Sequence, residues 1–342
     1  MKQVMQPQAG DETVVIAEAG VNHNGDVDIA HELVDVAARA GAQFVKFQTF
    51  DADKLVSESA AAAPYQRARG ATSQRELLDS LQLPERAWVE LREHAESSGI
   101  GFLSTPFDID SARMLIGLGV TALKVSSGEL TNLPLLRELA TLGVPLLLST
   151  GMGDMQEVTD AVAACAQAPE IAIFHCVSAY PAPLEECNLN AIPAMAAALG
   201  IPVGWSDHTP GRESAIVAAA LGARLFEKHF TLDRTLPGPD HQASLEPDEL
   251  RDYVGILRRI PVALGDGVKR AQPSEFANRD VVRRSWHAAR DLESGDVLRR
   301  EDLVALRPAN GISPALDLEG ERLARTVRRG ETFTIDALMD HG

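Results

Sequence analysis

The chain has 342 residues, more than one average domain and about the length of an α/β barrel with a small appendage. Its net charge of -17 argues against a nucleic-acid-binding surface. An anionic substrate would therefore need local cations to offset the overall negative field.

The composition also predicts a cytoplasmic protein with no membrane partner. No apolar run approaches the roughly 20 residues that span a bilayer. Residues 1–12 are polar and lack the apolar stretch of a secretion signal. The 3 cysteines form no CxxC pair, which is typical of a reducing compartment.

A short phrase recurs along the chain: a helix ends in glycine, and an apolar strand follows. Glycine ends helices in the left-handed conformation, so each copy predicts a helix-to-strand turn. The glycines of these copies are Gly41, Gly99, Gly119, Gly143, Gly200 and Gly222. With two further apolar segments, the predicted strands are about 14–19, 43–48, 101–105, 122–127, 145–149, 171–176, 202–206 and 224–228. This alternation predicts a (β/α)8 TIM barrel over residues 13–265.

Two segments do not fit the barrel repeat. Residues 49–83 form a long connection after the second strand, and such long loops are often functional lids. Residues 266–281 are typical of a linker. Residues 282–342 contain short strands and glycine turns, which predict a small β-rich second domain that needs a docking surface.

Polar residues follow the predicted strands, and the carboxyl ends of barrel strands meet on one catalytic face. His208 and His229 follow adjacent strands. A single histidine at such a place is more often a structural hydrogen-bonding residue. Two imidazoles on neighbouring strands, with acids beside both, favour a divalent metal site.

Lys46 and Lys124 lie inside apolar strands, where an unpaired charge is costly. They are either surface residues or, as we favour, an anion site. Hydroxyl groups at the other strand ends are typical phosphate ligands, although serine is also an ordinary turn residue. The candidate carboxylates for proton transfer are Glu18, Glu129 and Asp240, unless they serve only as helix caps or ion-pair partners. These residues predict a metal-dependent enzyme that forms or cleaves a carbon–carbon bond in an anionic small molecule.

The chain also resembles the sialic acid synthase family. The resemblance covers all but about the first dozen residues. It is carried by AEAGVNHNG (17–25), VKFQT (45–49), FLSTPF (102–107), STGM (149–152), WSDHT (205–209), EKHFT (227–231) and GPDH (238–241). The C-terminal part, with RP (307–308) and NGISP (310–314), resembles the antifreeze-like (SAF) domain of that family.

This resemblance implies the condensation of phosphoenolpyruvate with N-acetylmannosamine to give N-acetylneuraminate and phosphate. It implies a divalent metal at His208 and His229, usually Mn²⁺, with Mg²⁺ or Co²⁺ as alternatives. The implied phosphoenolpyruvate ligands are Lys46, Thr105, Lys124, Ser127, Ser149 and Ser206. The implied sugar ligands are Glu18, Gln48, Tyr180 and an Arg307 that comes from the partner subunit of a homodimer with swapped SAF domains.

The sequence is compatible with two acceptor sugars. Ser178 stands where sialic acid synthases often have asparagine, so its role as a substrate ligand is an expectation only. Residues 17–23 and 310–314 are at least as similar to legionaminic acid synthases. The alternative is therefore N,N'-diacetyllegionaminate synthesis from 2,4-diacetamido-2,4,6-trideoxymannose.

More distant alternatives are a synthase that uses a sugar phosphate, a metal aldolase that uses pyruvate, and a sugar- or ice-binding protein with a relict barrel. The full set of polar strand ends counts against the last, because a relict barrel has no reason to keep them.

Overall fold

The computed structural model describes residues 13–57 and 73–339. The chain divides into two compact units, and the boundary falls between Gly265 and Asp266.

The first unit is built on eight parallel strands. They are β1 Val14–Gly20, β2 Phe44–Thr49, β3 Gly101–Pro106, β4 Leu123–Val125, β5 Leu146–Ser149, β6 Ile171–Cys176, β7 Val203–Asp207 and β8 Leu225–His229. The hydrogen-bonded order is β3-β2-β1-β8-β7-β6-β5-β4, and β3 also contacts β4, which nearly closes the barrel. The predicted (β/α)8 barrel is confirmed.

Helices connect the strands and cover the barrel. They are α1 Val27–Ala40, α2 Ala52–Leu55, α3 Gln74–Leu81, α4 Glu85–Ser97, α5 Ile109–Gly117, α6 Leu133–Ala140, α7 Met155–Ala164, α8 Ala191–Leu199, α9 Glu213–Ala220 and α10 Pro247–Leu264. Aspartate caps begin several of them: the side chain of Asp26 accepts hydrogen bonds from two backbone amides of α1. Gly41 ends α1 with φ 82°, in the left-handed conformation that the repeated phrase predicts.

The predicted lid contains regular structure at both of its described ends. Helix α2 follows β2 directly, and α3 precedes α4. Ser73 caps α3 by accepting a hydrogen bond from the backbone amide of Glu76. The middle of the predicted lid, residues 58–72, lies outside the described residues.

The inward-facing positions of the strands change in character along the barrel axis. At the amino-terminal end they form an apolar cluster of Val14, Ile16, Leu103, Ala122, Leu147, Ala172, Phe174 and Leu225. Successive side chains of a strand point to opposite faces, so the next inward positions lie two residues on. Those positions carry Glu18, Thr105, Lys124, Ser149, Cys176 and Glu227. The barrel is therefore packed at one end and polar at the other.

A buried ion pair on the outer face joins β7 to β8. Lys228 Nζ lies 3.2 Å from Asp207 Oδ2, and each residue is only 1% exposed. The Tyr253 hydroxyl of α10 donates to the same oxygen at 3.2 Å. The backbone amide and hydroxyl of Thr209 donate to Asp207 Oδ1 at 2.9 and 2.7 Å. Burial lowers the pKa of Lys228, and the facing carboxylate opposes that shift.

The second unit has its own small core. Helix α11, Phe276–Val282, is followed by two antiparallel strands, β9 Ser285–Ala288 and β10 Leu303–Leu306. The buried cluster includes Trp286, Leu298, Leu323, Val327 and Phe333. Part of the segment predicted as a linker, residues 266–281, is thus the beginning of α11.

The ion pair of Asp207 and Lys228 predicts a large asymmetry between single and double substitutions. Lys228→Met should lower the free energy of unfolding by about 3–5 kcal/mol, because it leaves a buried carboxylate without its cation. Asp207→Asn combined with Lys228→Met should recover at least half of that loss, as measured by urea denaturation. In the exposed pair of Arg251 and Asp248, Arg251→Met should leave the free energy of unfolding nearly unchanged. A double variant no more stable than Lys228→Met would contradict this account.

Candidate active site

The polar end of the barrel encloses a cavity of about 440 Å³, which we call the inner chamber. It brings together most of the predicted site residues. These are Glu18, Lys46, Gln48, Thr105, Lys124, Ser127, Ser149, Ser178, Tyr180, Ser206, His208 and His229. The same chamber is lined by Glu227, which was not among the site residues predicted from the sequence.

Both predicted anion-binding lysines are buried and face carboxylates. Lys46 Nζ lies 2.8 Å from Glu18 Oε2 and donates to Thr105 Oγ1 at 2.9 Å. Lys46 Nζ and Lys124 Nζ each lie 3.8 Å from Glu227 Oε2. Lys124 also donates to the Ser149 hydroxyl. The lysines are therefore held together by a carboxylate between them.

The two carboxyl groups of the chamber differ in their electrostatics. Burial raises the pKa of Glu18 from 4.5 to about 7, and Lys46 only partly offsets this effect. Burial acts on Glu227 in the same direction, but Lys124 and Lys46 outweigh it and lower the pKa of that carboxyl. Glu227 is thus ionised near neutral pH, whereas Glu18 can exchange a proton there.

The two-residue alternation of side chains along a strand could have identified Glu227 as a chamber residue from the sequence. Glu227 lies two residues before His229 on β8, so both side chains face the same side. By the same rule, Lys46 and Gln48 lie on one face of β2. Lys228, between Glu227 and His229, faces the helices instead, as its contacts with Asp207 show.

The two histidines lie side by side, with ring centroids 5.5 Å apart. His208 Nδ1 lies 2.7 Å from the Val177 carbonyl oxygen. A carbonyl only accepts, so Nδ1 carries the proton and Nε2 keeps a lone pair. His229 Nδ1 is buried without a hydrogen-bond partner in the described structure, and lies 3.9 Å from Asp240 Oδ2. Burial lowers the pKa of both imidazoles, which keeps them neutral.

These features fit a divalent cation. An imidazole that ligates at about 2.1 Å places its centroid roughly 3.2 Å from the ion, so two such ligands are roughly 4.5–6 Å apart. The observed separation of 5.5 Å falls within that range. Within residues 13–57 and 73–339, no group of three or more histidine, cysteine or acidic side chains could hold a metal. Water or substrate oxygens would have to complete the coordination.

A second cavity of about 340 Å³, the outer chamber, adjoins the inner one. The two share Gln48, Gln74, Phe107, Ser126, Gly128, Tyr180 and His229. Glu129 and Asp240 line the outer chamber and not the inner one. The three carboxylates predicted for proton transfer are therefore separated, and only Glu18 lies beside the lysines.

Comparison with known proteins identifies the family to which the chain belongs. The NeuB family profile matches residues 33–269, and the SAF domain profile matches residues 283–339. The chain belongs to the NeuB family. The predicted family and the predicted SAF domain are confirmed.

Similar proteins cover almost the whole NeuB-family chain. The N,N'-diacetyllegionaminic acid synthase of Campylobacter jejuni is 46% identical over 88% of this chain and 92% of its own. The synthase of the same name from Legionella pneumophila is 44% identical over 93% of this chain and 92% of its own. The structure of N-acetylneuraminic acid (sialic acid) synthetase from Leptospira borgpetersenii is 34% identical, with a TM-score of 0.71 over 79% of this chain and 90% of that one.

A close approach at Gly151 shapes one wall of the inner chamber of this NeuB-family protein. The backbone amide of Gly151 donates to Ser127 Oγ at 3.0 Å. A Cβ atom at Gly151 would lie 2.2 Å from Ser178 Oγ and 2.9 Å from Ser127 Oγ. The glycine therefore lets both predicted serine ligands face the same space.

Asp240 is held in place by a polar chain that was not predicted from the sequence. The Ser244 hydroxyl donates to the Asp240 carbonyl at 2.7 Å. Asn22 Nδ2 donates to that hydroxyl at 2.9 Å and to the Phe230 carbonyl at 2.7 Å. The loops after β1 and β8 are thereby tied together beside the outer chamber.

Arg307 is exposed in the second unit, directly after β10, and its role toward the sugar stays a prediction.

A mainly apolar cavity of about 560 Å³ lies at the amino-terminal ends of the strands, at the opposite end of the barrel from the inner chamber. Its lining includes Phe44, Phe102 and Val120. Within residues 13–57 and 73–339, no helix of this NeuB-family protein is long and apolar enough to cross a membrane.

The pKa of Glu18 predicts a pH dependence of stability. The folded state binds the Glu18 proton more tightly than the unfolded state, so this contribution is full below about pH 4.5 and is lost as the pH rises through about 7. Glu18→Gln stays neutral. The free energy of unfolding of the wild type should therefore fall relative to Glu18→Gln by about 3 kcal/mol between about pH 4 and about pH 8.

Urea denaturation across this pH range provides the measurement. Gln48→Ala is the matched control, because it removes the 3.2 Å hydrogen bond to Glu18 Oε1 and keeps the titrating group. That variant should show a pH dependence at least as large as that of the wild type, because the hydrogen bond from Gln48 lowers the pKa of Glu18. A difference between the wild type and Glu18→Gln that is constant with pH would contradict the assignment.

Proposed function

We propose that this protein condenses phosphoenolpyruvate with 2,4-diacetamido-2,4,6-trideoxymannose, giving N,N'-diacetyllegionaminate and phosphate. The inner chamber is the observation that supports this class of reaction, because two buried lysines and two neutral imidazoles face one cavity there. The similarity to two N,N'-diacetyllegionaminic acid synthases at 46% and 44% identity favours this acceptor over N-acetylmannosamine, the acceptor predicted first from the sequence.

The donor site follows from the charge balance of the inner chamber. Lys46 and Lys124 would hold the carboxylate and phosphate of phosphoenolpyruvate, assisted by the hydroxyls of Thr105, Ser127, Ser149, Ser178 and Ser206. Without a substrate, Glu18 and Glu227 balance the lysines. A protonated Glu18 would leave an excess of positive charge, so binding of the anionic donor should be coupled to proton uptake at that carboxyl.

His208 and His229 would hold a divalent cation, with Mn²⁺ as our expectation. Such an ion polarises the carbonyl group of an aldehyde when it is bound. The protein contributes the neutral state of both rings through burial. It also fixes the tautomer of His208 through the Val177 carbonyl.

In the proposed reaction, carbon 3 of phosphoenolpyruvate attacks the aldehyde carbon of the open-chain sugar. Water adds to carbon 2, and the carbon–oxygen bond to phosphate breaks. Glu18 is placed to take up or release a proton beside the lysines, since its pKa lies near 7. Gln48 and Tyr180 line both chambers, where they would contact the sugar, and Glu129 and Asp240 would face its far part.

We also infer a cytoplasmic homodimer in which Arg307 of the partner subunit contacts the sugar. The family resemblance supports this arrangement, and the exposure of Arg307 in the SAF domain is compatible with it.

Phosphate release from phosphoenolpyruvate tests the proposed function directly. With Mn²⁺ and the diacetamido sugar, the wild type should release phosphate, and with pyruvate as donor it should not. His208→Ala should lose nearly all turnover and bind Mn²⁺ at least tenfold more weakly by calorimetry, with an unchanged circular dichroism spectrum. Full activity of the wild type in metal-free, chelated buffer would refute the metal assignment.

Arg307→Ala tests the predicted sugar contact. A lost charge-assisted hydrogen bond should raise KM for the sugar by about tenfold or more, with a much smaller effect on KM for phosphoenolpyruvate. Steady-state kinetics with each substrate varied in turn would measure this. Equal effects on both substrates would assign Arg307 a structural role instead.

A further inference from the structure

One side of the outer chamber is an apolar wall. Its lining residues are Val21, Phe50, Leu55, Val56, Leu77, Leu78, Leu81 and Phe107. All of these except Val56 form one apolar cluster, separate from the main core. The rings of Phe50 and Phe107 meet edge to face, with centroids 6.1 Å apart. The wall is thus a packed surface rather than a set of isolated side chains.

Part of this wall remains open to a ligand. Leu55, Val56, Leu77, Leu78 and Phe107 are only half-buried while they line the chamber. Apolar surface of this kind gains free energy when it contacts a methyl group and loses it when it must face a desolvated hydroxyl or charge.

The chamber also disfavours anions. Among its lining residues that the structure describes, the acidic groups are Glu129 and Asp240, and there is no lysine or arginine. The nearby cations of α2 and α3 are engaged elsewhere: Lys54 Nζ lies 2.7 Å from Asp110 Oδ2, and Arg75 pairs with Asp53. A phosphate group at the far side of this chamber would meet carboxylates, and no lysine or arginine of the described lining would offset their charge. The divalent cation proposed at His208 and His229 would lie at the junction with the inner chamber instead.

The two chambers impose an orientation on the sugar. The aldehyde carbon has to reach the donor in the inner chamber, so it must pass the junction of Gln48, Tyr180 and His229. The opposite end of the sugar, carbons 4 to 6, then lies in the outer chamber.

We propose that the apolar wall of the outer chamber selects acceptor sugars by their far end, favouring a methyl group at carbon 6. It would discriminate against a 6-hydroxymethyl group, and most strongly against a 6-phosphate. This inference rests on the proposed function and adds the physical basis of its acceptor choice.

A panel of three acceptors tests the selection, with phosphate release from phosphoenolpyruvate in the presence of Mn²⁺ as the readout. We expect kcat/KM for the 2,4-diacetamido-2,4,6-trideoxy sugar to exceed that for N-acetylmannosamine by about tenfold or more. N-acetylmannosamine 6-phosphate should be the poorest acceptor.

Substitutions in the wall assign the selection to this chamber. Leu77→Gln should lower kcat/KM for the trideoxy sugar by about fivefold to tenfold, change that for N-acetylmannosamine by less than about twofold, and leave KM for phosphoenolpyruvate unchanged. Val56→Thr keeps the side-chain shape, and should shift the ratio in the same direction if the first variant folds poorly. Leu135→Gln is the control, because Leu135 is half-buried on α6 and lines neither chamber.

The outcomes separate the two proposals. Absence of phosphate release with all three sugars would refute the proposed function and this inference with it. Equal or better use of N-acetylmannosamine or its 6-phosphate would leave the condensation in place and overturn the selection by the outer chamber. A loss in Leu77→Gln that is equal for both unphosphorylated sugars, or that Leu135→Gln reproduces, would also overturn it.

Discussion

The ion cluster of Lys46, Lys124 and Glu227 is the interaction on which the site depends. Three buried charges would each cost several kcal/mol without partners, and here each lysine lies 3.8 Å from the same carboxylate oxygen. The closed barrel makes the cluster possible, because it brings β2, β4 and β8 to one axis. The remaining positive charge and the proton affinity of Glu18 are the features on which we base the proposed anion site inside a strongly acidic protein.

Strands β7 and β8 carry different groups on their inward and outward faces. Their inward positions carry Glu227, His229 and Ser206, which line the chamber. Their outward positions carry Asp207 and Lys228, which are direct cross-strand partners in the register of β7 and β8. Replacement of a buried pair of this kind by apolar groups is often neutral for stability, so we infer that the pair serves mainly to hold the register of these two strands. Because each histidine follows one member of the pair, the register also sets the distance between the imidazoles.

Most of the barrel could be predicted from the sequence, because its strands repeat one local phrase and each break in the pattern has a recognisable residue, such as Gly41. The donor-side lysines were also predictable, since a lysine inside an apolar strand is too costly unless an anion or an acid neutralises it. Glu227 was missed because it stands in a run of polar residues with Lys228 and His229, and only the two-residue strand period separates the inward side chains from the outward one. The positions of Glu129 and Asp240 could not be predicted, because loops have no period that relates sequence to direction.

The two chambers are built largely from different structural elements: barrel strands carry most of the inner chamber, and helices and loops carry most of the outer one. The proposed donor ligands Lys46 and Lys124 belong to strands, whose positions are set by the hydrogen-bonded barrel. Most of the apolar wall around Leu77 belongs to short helices and loops between β2 and α4, with Val21 after β1 and Phe107 after β3, and such segments tolerate substitution far better than strands. Under the proposed selection, a change of acceptor requires changes in the residues that face the sugar, such as those of the wall, while the lysines, the imidazoles and Glu18 stay in place. The proposed separation would account in physical terms for the similarity in sequence, over nearly the whole length, between this chain and synthases of different sugar acids.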